Sequence, residues 1–241
     1  MNQKITLKIL DLFDFFHQKK INKFLKEKGY IKFKVFFDIG AHKGETINKF
    51  LSSFNVDEIY SFEASPVNFL DLKKNYNKYK SKFNKTNIII ENLAIGNAEN
   101  IVKIKQLNES SSSTINEIDI HSTYFKVKKK YFPLLKKENF FKEFEIKQIK
   151  LENYIEKNNL KNIDFLKIDT EGYEYEVLLG LKKYINNVSL ILFEHHYDNM
   201  LKKNYKFSDI NSFLINNNFK QIYEIKMPLR KTFEYIYLNK K

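Results

Sequence analysis

Short apolar runs alternate with amphipathic stretches along most of this chain, and that alternation leaves few folds open to it. Val35–Ile39, Glu58–Glu63, Ile88–Ile90, Ile101–Gln106, Ile163–Ile168 and Val188–Phe193 read as strands. Helical periodicity fills Glu45–Phe54, residues 66–80, Tyr173–Tyr184 and Ser208–Asn217. Ile88–Ile90 is expected to continue toward Leu93-Ala94-Ile95 and to turn at Gly96-Asn97. Strands joined through helices need right-handed crossovers and a mostly parallel sheet. The final strands, near Phe219–Ile225 and Phe233–Leu238, are separated only by a turn containing Pro228, so they form an antiparallel hairpin. The expected fold is α/β, a doubly wound and mostly parallel Rossmann-like sheet closed by that hairpin.

With 241 residues, 43% of them hydrophobic, the chain suits one α/β domain rather than two. It has no cysteine, which excludes a disulfide framework and thiolate zinc sites and makes the reducing cytoplasm the expected location. Lys8, Asp11 and Asp14 interrupt Ile5–Phe16, so neither a signal-peptide core nor a membrane span is expected. Leu7, Leu10, Phe13, Ile21, Phe24 and Leu25 recur at helical spacing up to Gly29. Residues 1–34 thus read as an N-terminal amphipathic helical extension that packs on the sheet, with a membrane-surface helix as the lesser alternative.

The net charge of +13 is unevenly placed. Residues 1–34 and 121–142 each contribute +6, so the scaffold itself is almost neutral. Joint richness in Lys, Asn, Ile, Phe and Tyr also fits a compositional bias in which the lysines are simply solvated surface. Residues 107–145 break the strand and helix alternation with Ser110–Ser113 and a lysine- and aromatic-rich stretch around Pro133. A segment of that length reads as a lid or substrate-side insertion within a domain spanning 35–241.

Asp38-Ile-Gly40-Ala41-His-Lys-Gly44-Glu45 stands where a strand passes into a helix, the edge at which open α/β sheets bind ligands. Taken alone, it fits a tight structural loop equally well. Glu63 closes the next strand, where a carboxylate can accept hydrogen bonds from both ribose hydroxyls of an adenosine. A dinucleotide pyrophosphate would want GxGxxG, which is absent, and would meet Asp38 and Glu45 unfavourably. The ammonium and sulfonium of S-adenosylmethionine carry the opposite charge, and the acidic turn favours that cofactor. Asp169 ends a third apolar strand, followed by Glu171, Gly172 and Glu174. Glu171 and Glu174 also suit the N-terminal dipole of the next helix, whereas Asp169 has no such structural explanation.

Phe37-Asp38-Ile-Gly40-Ala-His-Lys-Gly44-Glu45, Phe62-Glu63-Ala64-Ser-Pro66, Asn92-Leu-Ala94-Ile95-Gly96-Asn97, Ser110–Ser113 and Ile168-Asp169-Thr-Glu171-Gly172-Tyr-Glu174 together resemble the ordered motifs of the FkbM methyltransferases. The resemblance covers about residues 35–196, and the family commonly has Asn where this chain has His42. It implies a class I methyltransferase with S-adenosylmethionine contacts at Asp38, Gly40, Ala41, Gly44, Glu63, Ala64, Ala94 and Ile95. It also implies a reacting end at Asp169 and Glu171, and a hydroxyl acceptor on a sugar, glycan or secondary metabolite.

A hydroxyl acceptor calls for a base, and Glu194-His195-His196 follows a strand to the same sheet edge. His195 is the expected base, with Asp169 or Glu171 orienting it or replacing it; the plain alternative makes both histidines strand-end polar residues. No spacing signature calls for a metal. The lysine and aromatic mixture at 121–142 suits a phosphorylated or nucleotide-linked acceptor, or the bases of single-stranded RNA. A non-catalytic binding domain on the same fold is the third alternative.

Overall fold

The computed structural model describes residues 3–108, 112–132, 135 and 139–241. Ser110, Ser111, Pro133 and the side chains of Leu7 and Leu10 lie outside the described residues. The chain opens with α1 (Gln3–Glu27), β1 (Lys32–Ile39), α2 (Glu45–Leu51), β2 (Asn55–Phe62), α3 (Pro66–Lys82) and β3 (Asn87–Glu91). Next come β4 (Ala94–Ile95), β5 (Asn100–Leu107), β6 (Ser113–Thr114), β7 (Glu117–Ile118), α4 (Thr123–Tyr131) and β8 (Phe141–Ile149). They lead to α5 (Leu151–Lys157), β9 (Ile163–Ile168), α6 (Glu174–Leu179), β10 (Val188–His196) and β11 (Leu201–Lys202). The chain closes with α7 (Phe207–Asn216), β12 (Phe219–Lys226) and β13 (Thr232–Asn239).

Seven strands form the main sheet in the order β12-β13-β10-β9-β1-β2-β3. Pairing is parallel from β10 through β9, β1 and β2 to β3, and antiparallel at β10-β13 and β12-β13. The mostly parallel sheet with its closing hairpin is therefore as the alternation requires. Apolar side chains cover both faces. Phe33, Phe36, Ile59, Phe165, Leu190, Leu192 and Ile236 pack on one side with Ile21 and Leu25 of α1 and Ile47 and Phe50 of α2. Phe37, Ile39, Leu166, Ile168, Ile191, Phe193 and Tyr237 pack on the other with Tyr154, Val177 and Leu214. Each such side chain contributes roughly 1.5–3 kcal/mol when withdrawn from water. Ile21 and Leu25 are fully buried, which docks α1 firmly on the sheet.

Several elements depart from their sequence expectations for identifiable reasons. Ile88–Ile90 does not run on to Ala94: β3 ends at Glu91, and β4 crosses to a second sheet of order β4-β8-β5-β6, where it pairs with β8. Residues 107–145 contain β6, β7, α4 and the start of β8. β8 alternates along Phe141–Ile149 and pairs antiparallel with all of β5, a long-range partner that local pattern does not reveal. Tyr173–Tyr184 is split into α6 and a 3-10 turn, Lys182–Asn187. The split falls near Gly180, where a Cβ would lie 2.1 Å from the Gly96 carbonyl oxygen. Finally, β10 runs to His196 rather than Phe193, because its pairing with β13 persists to His196↔Thr232.

Candidate active site

A cavity of about 1130 Å³ opens over the carboxyl ends of β1, β2, β9 and β10. Gly40, Ala41, Glu63, Ala64, Ala94, Ile95, Asp169 and Glu171, all singled out from sequence, line it together. The turn after β1 is held by the Gly40 and Ala41 N–H groups, which both donate to the Phe62 carbonyl at 2.9 Å. Gly40 adopts φ 86°, and a Cβ there would sit 1.8 Å from the Asp169 carbonyl oxygen. Only glycine lets the turns after β1 and β9 approach this closely.

Glu63 is buried, and its carboxylate accepts from the backbone N–H groups of His42 and Ser65, each at 2.7 Å. Burial raises its carboxyl to about 7 in spite of these two donors. Asn92 donates to the Glu63 carbonyl at 2.8 Å and so fixes the strand end from β3. Ser65 caps α3, accepting from the Asn68 N–H at 3.3 Å, and Pro66 occupies the first turn.

Asp38 and Gly44 stand behind the cavity wall rather than on it. Asp38 is fully buried, and neither carboxylate oxygen has a hydrogen-bond partner. Its nearest cation is Lys167, whose Nζ lies 3.7 Å away and donates instead to Asp169 at 3.0 Å. Burial pushes the Asp38 carboxyl up to about 6, with Lys167 pulling the other way. Burial would also raise Asp169, but the Lys167 charge outweighs it and holds that carboxyl below the ordinary range. Gly44, at φ 89°, faces Tyr79 and Leu72, so its role is close packing of the turn against α3.

Alternation along β10 separates the three titratable residues at its end. Glu194 and His196 share the face of Leu192 and line the cavity, whereas His195 shares the face of Phe193 and does not. His195 therefore reaches the expected sheet edge but points away from the cavity. Its ring packs against Tyr197, Tyr205 and Phe207 at centroid distances of 4.8, 5.9 and 5.7 Å. Burial in this aromatic nest, reinforced by Lys203, pushes its pKa down to about 3.

His196 Nε2 lies 2.9 Å from Glu194 Oε1 and 3.3 Å from Glu171 Oε2. Its Nδ1 lies 3.2 Å from the Thr232 hydroxyl and 3.6 Å from Asp198. Burial opposes a charge on the ring, but Asp198, Glu194 and Glu171 prevail and hold its pKa well above the usual histidine value. Burial, then the Asp169 charge, pushes Glu194 up to about 8. The Glu171 backbone is left-handed at φ 50°, and the Thr114 hydroxyl anchors it by donating to the Glu171 carbonyl at 2.8 Å. Glu174 does not simply face the helix dipole. It is fully buried and accepts from the Gly172 N–H at 2.9 Å and the Tyr205 hydroxyl at 2.5 Å, locking the turn after β9.

Two further walls come from α1 and α4, and only the second falls in a segment that the sequence marks for the acceptor. From α1, Asp14 and His17 reach the cavity: His17 bonds Glu234 on β13, and Asp14 accepts from Arg230 at 2.9 Å. From α4, Tyr124, Val127, Lys128 and Tyr131 also line it. The parity of β10 could have found Glu194 and His196, but nothing local marks the α1 residues. Among the described residues, no group of three or more His, Asp or Glu side chains is arranged to hold a metal ion.

These features fit a cationic nucleoside cofactor. Glu63 could accept from ribose hydroxyls, Ala94 and Ile95 form an apolar wall, and the buried Asp38 carboxylate and that of Asp169 place negative charge at the glycine turn. Known proteins agree with that reading. The sequence profile described as the methyltransferase FkbM domain matches residues 38–221. Comparison with curated protein sequences gives no match. Among solved structures, methyltransferase FkbM from Methylobacillus flagellatus KT superposes with a TM-score of 0.55 at 13% identity, covering 85% of this chain and 43% of that one. This chain thus spans less than half the length of that protein. Magnesium protoporphyrin IX methyltransferase from Synechocystis, with S-adenosylhomocysteine bound, gives 0.54 at 8% identity, covering 96% and 86%. A proposed tRNA (m1A22) methyltransferase from Streptococcus pneumoniae gives 0.50 at 11% identity, covering 92% and 69%. At these identities the structural likenesses speak for the fold, while the profile spans most of the sequence. The chain belongs to the FkbM family of S-adenosylmethionine-dependent methyltransferases.

Proposed function

We propose that the chain O-methylates a hydroxyl of a sugar, glycan or secondary metabolite, with Glu194 receiving the proton beside a cationic His196 that Glu171 also faces. The observation that supports this most directly is His196 set between Glu171 and Glu194, on the cavity wall. β10 lies three strand positions from β2 in the sheet, ~14 Å at the usual strand spacing, so this cluster is about one nucleoside length from Glu63.

When bound, S-adenosylmethionine supplies an electrophilic methyl group on a positively charged sulfur. Glu63 accepts the ribose hydroxyls, and Ala64, Ala94 and Ile95 flank the adenosine. Asp38 and Asp169 supply negative charge beside the glycine turn, with Lys167 fixing Asp169 in place. Alignment of the acceptor oxygen with the methyl carbon is the main demand of an in-line displacement. Glu194 in its ionised form takes the hydroxyl proton as that oxygen attacks, and His196 carries positive charge that steadies both glutamates. Asp169 and Glu171 orient the acceptor.

Arg230 and Lys128 on the cavity wall support a phosphorylated or nucleotide-linked acceptor. α4, whose residues line the same wall, supports a lid role for 107–145. The deciding experiment incubates the protein with S-adenosylmethionine and a panel of free and nucleotide-linked sugars, and follows S-adenosylhomocysteine release. Release that depends on the sugar and disappears with its deoxy analogue supports the reading; release with no sugar in the panel, but with RNA, overturns it. That RNA-modifying alternative draws on the Lys126, Lys128, Lys129 and Lys130 run of α4 and would show a steep salt dependence.

A further inference from the structure

Where solvent reaches the cavity mouth, most of the exposed lining side chains are apolar, with Glu45 the acidic exception among the described residues. Phe15 of α1, Val127 and Tyr131 of α4 and Leu229 in the β12-β13 turn all line the cavity and all are exposed, Leu229 to 78%. Leu229 also has a left-handed backbone, φ 62°, where glycine or asparagine would be more relaxed. Three segments far apart in sequence thus bring large apolar side chains to one rim and leave them open to water.

α1 extends that rim. Leu12 and Phe16 are exposed to 55% and 52%, and with Phe15 they fall on one stripe of the helix. At ~100° per residue this stripe lies opposite Ile21 and Leu25, the buried face that docks α1 on the sheet. The helix is therefore apolar on two sides, and only one is used within the protein. Lysines frame the open side: Lys19 and Lys20 are exposed on α1, with Lys19 Nζ 4.4 Å from the Phe15 ring centroid, and Lys126 and Lys130 are exposed on α4.

We propose that this rim docks on an anionic lipid bilayer, its apolar side chains entering the headgroup region and its lysines meeting the lipid phosphates. The charge distribution selects this occupant, because +12 of the net +13 resides in the two segments that carry the lysines of the rim. A second copy would set these lysine-framed faces against each other. RNA would use stacking aromatics, but Leu12, Val127 and Leu229 cannot stack on bases. No described helix is long and apolar enough to cross a membrane, so the contact is interfacial. The mouth would then face the bilayer, and an amphiphilic acceptor could pass from lipid to Glu194 and His196 without crossing water.

Co-sedimentation of the full chain with phosphatidylcholine vesicles, with and without phosphatidylglycerol, tests this apart from any activity. The expected result is binding to the anionic vesicles alone, lost in high salt. Leu12→Ser with Phe16→Ser should weaken it at least about tenfold, while S-adenosylhomocysteine binding shows that the fold and the cofactor site persist. Lys126→Glu with Lys130→Glu should weaken it to a similar extent, at about fivefold per lysine before reversal of sign is counted. Failure to bind anionic vesicles at low salt would overturn the proposal, as would binding indifferent to Leu12 and Phe16. A dimer in sedimentation equilibrium that the Leu12 and Phe16 changes dissolve would assign the stripe to a second copy and overturn it too. Such outcomes leave the methyl-transfer reading untouched, since that reading rests on Glu63 and His196.

Discussion

His195 and His196 stand back to back across one strand: the first packs 5.7 Å from the Phe207 ring, and the second lies 2.9 Å from the Glu194 carboxylate. Two neighbouring imidazoles thereby acquire opposite electrostatics, one driven neutral by aromatic burial and one held cationic by three acids. Their substitutions should separate cleanly. His196→Ala is expected to lower turnover by about 100-fold or more with little change in S-adenosylhomocysteine affinity. His195→Ala should instead lower stability, by roughly 1–3 kcal/mol, and leave turnover per folded molecule near wild type. Calorimetry and steady-state rates on both variants distinguish the roles; a His195 variant that folds normally but is inactive would return the base to His195.

The acid side of the stability profile follows from the same ring. His195 falls from an ordinary 6.5 to about 3 in the folded state, so the unfolded chain binds the proton more readily. Its contribution is complete above pH 6.5 and is lost progressively as pH falls toward 3. Denaturant titrations across that window should show stability dropping with acid, and His195→Phe should flatten the slope. An unchanged slope in that variant would show that other groups govern it.

Glu194 should govern the pH dependence of turnover. With its carboxyl raised to about 8, the ionised form needed to accept a proton grows as pH rises through that value. Turnover should climb on an alkaline limb near pH 8, and Glu194→Gln should abolish that limb together with most of the rate. A full-rate Glu194→Gln enzyme with an unaltered limb would move the proton elsewhere.

Glu63→Ala should weaken S-adenosylhomocysteine binding by at least about 100-fold, in keeping with two hydrogen bonds to a charged acceptor at roughly 1.5–3 kcal/mol each. The change also frees the N–H groups of His42 and Ser65, so Glu63→Gln, which keeps one acceptor, should fall between. Isothermal titration measures both. Unchanged affinity in the alanine variant would remove Glu63 from the cofactor site.

Two glycines with nearly the same backbone should respond very differently to alanine. Gly29 has φ 85° and open space around its missing Cβ, so Gly29→Ala should cost only about 1 kcal/mol for the left-handed backbone. Gly40 has φ 86° but faces the Asp169 carbonyl, and Gly40→Ala must part the ends of β1 and β9. It should therefore abolish cofactor binding or folding, as thermal melts with and without ligand would show.

The sequence by itself determined the alternation of strands and helices that builds the main sheet, the closing hairpin, and the glycine turn and Glu63 that the cavity brings together. Those features are local. An apolar run ending at Gly40 or at Glu63 carries its own position at the sheet edge, since each strand and its following turn are continuous in the chain. The part of the cavity around Glu194 and His196 depended on tertiary structure. Whether His195 or His196 faces the cavity turns on a period of two, set by how far β10 pairs with β13. Whether α1 and α4 wall that cavity depends on packing between residues more than a hundred positions apart, as between Asp14 and Arg230, which no local pattern encodes.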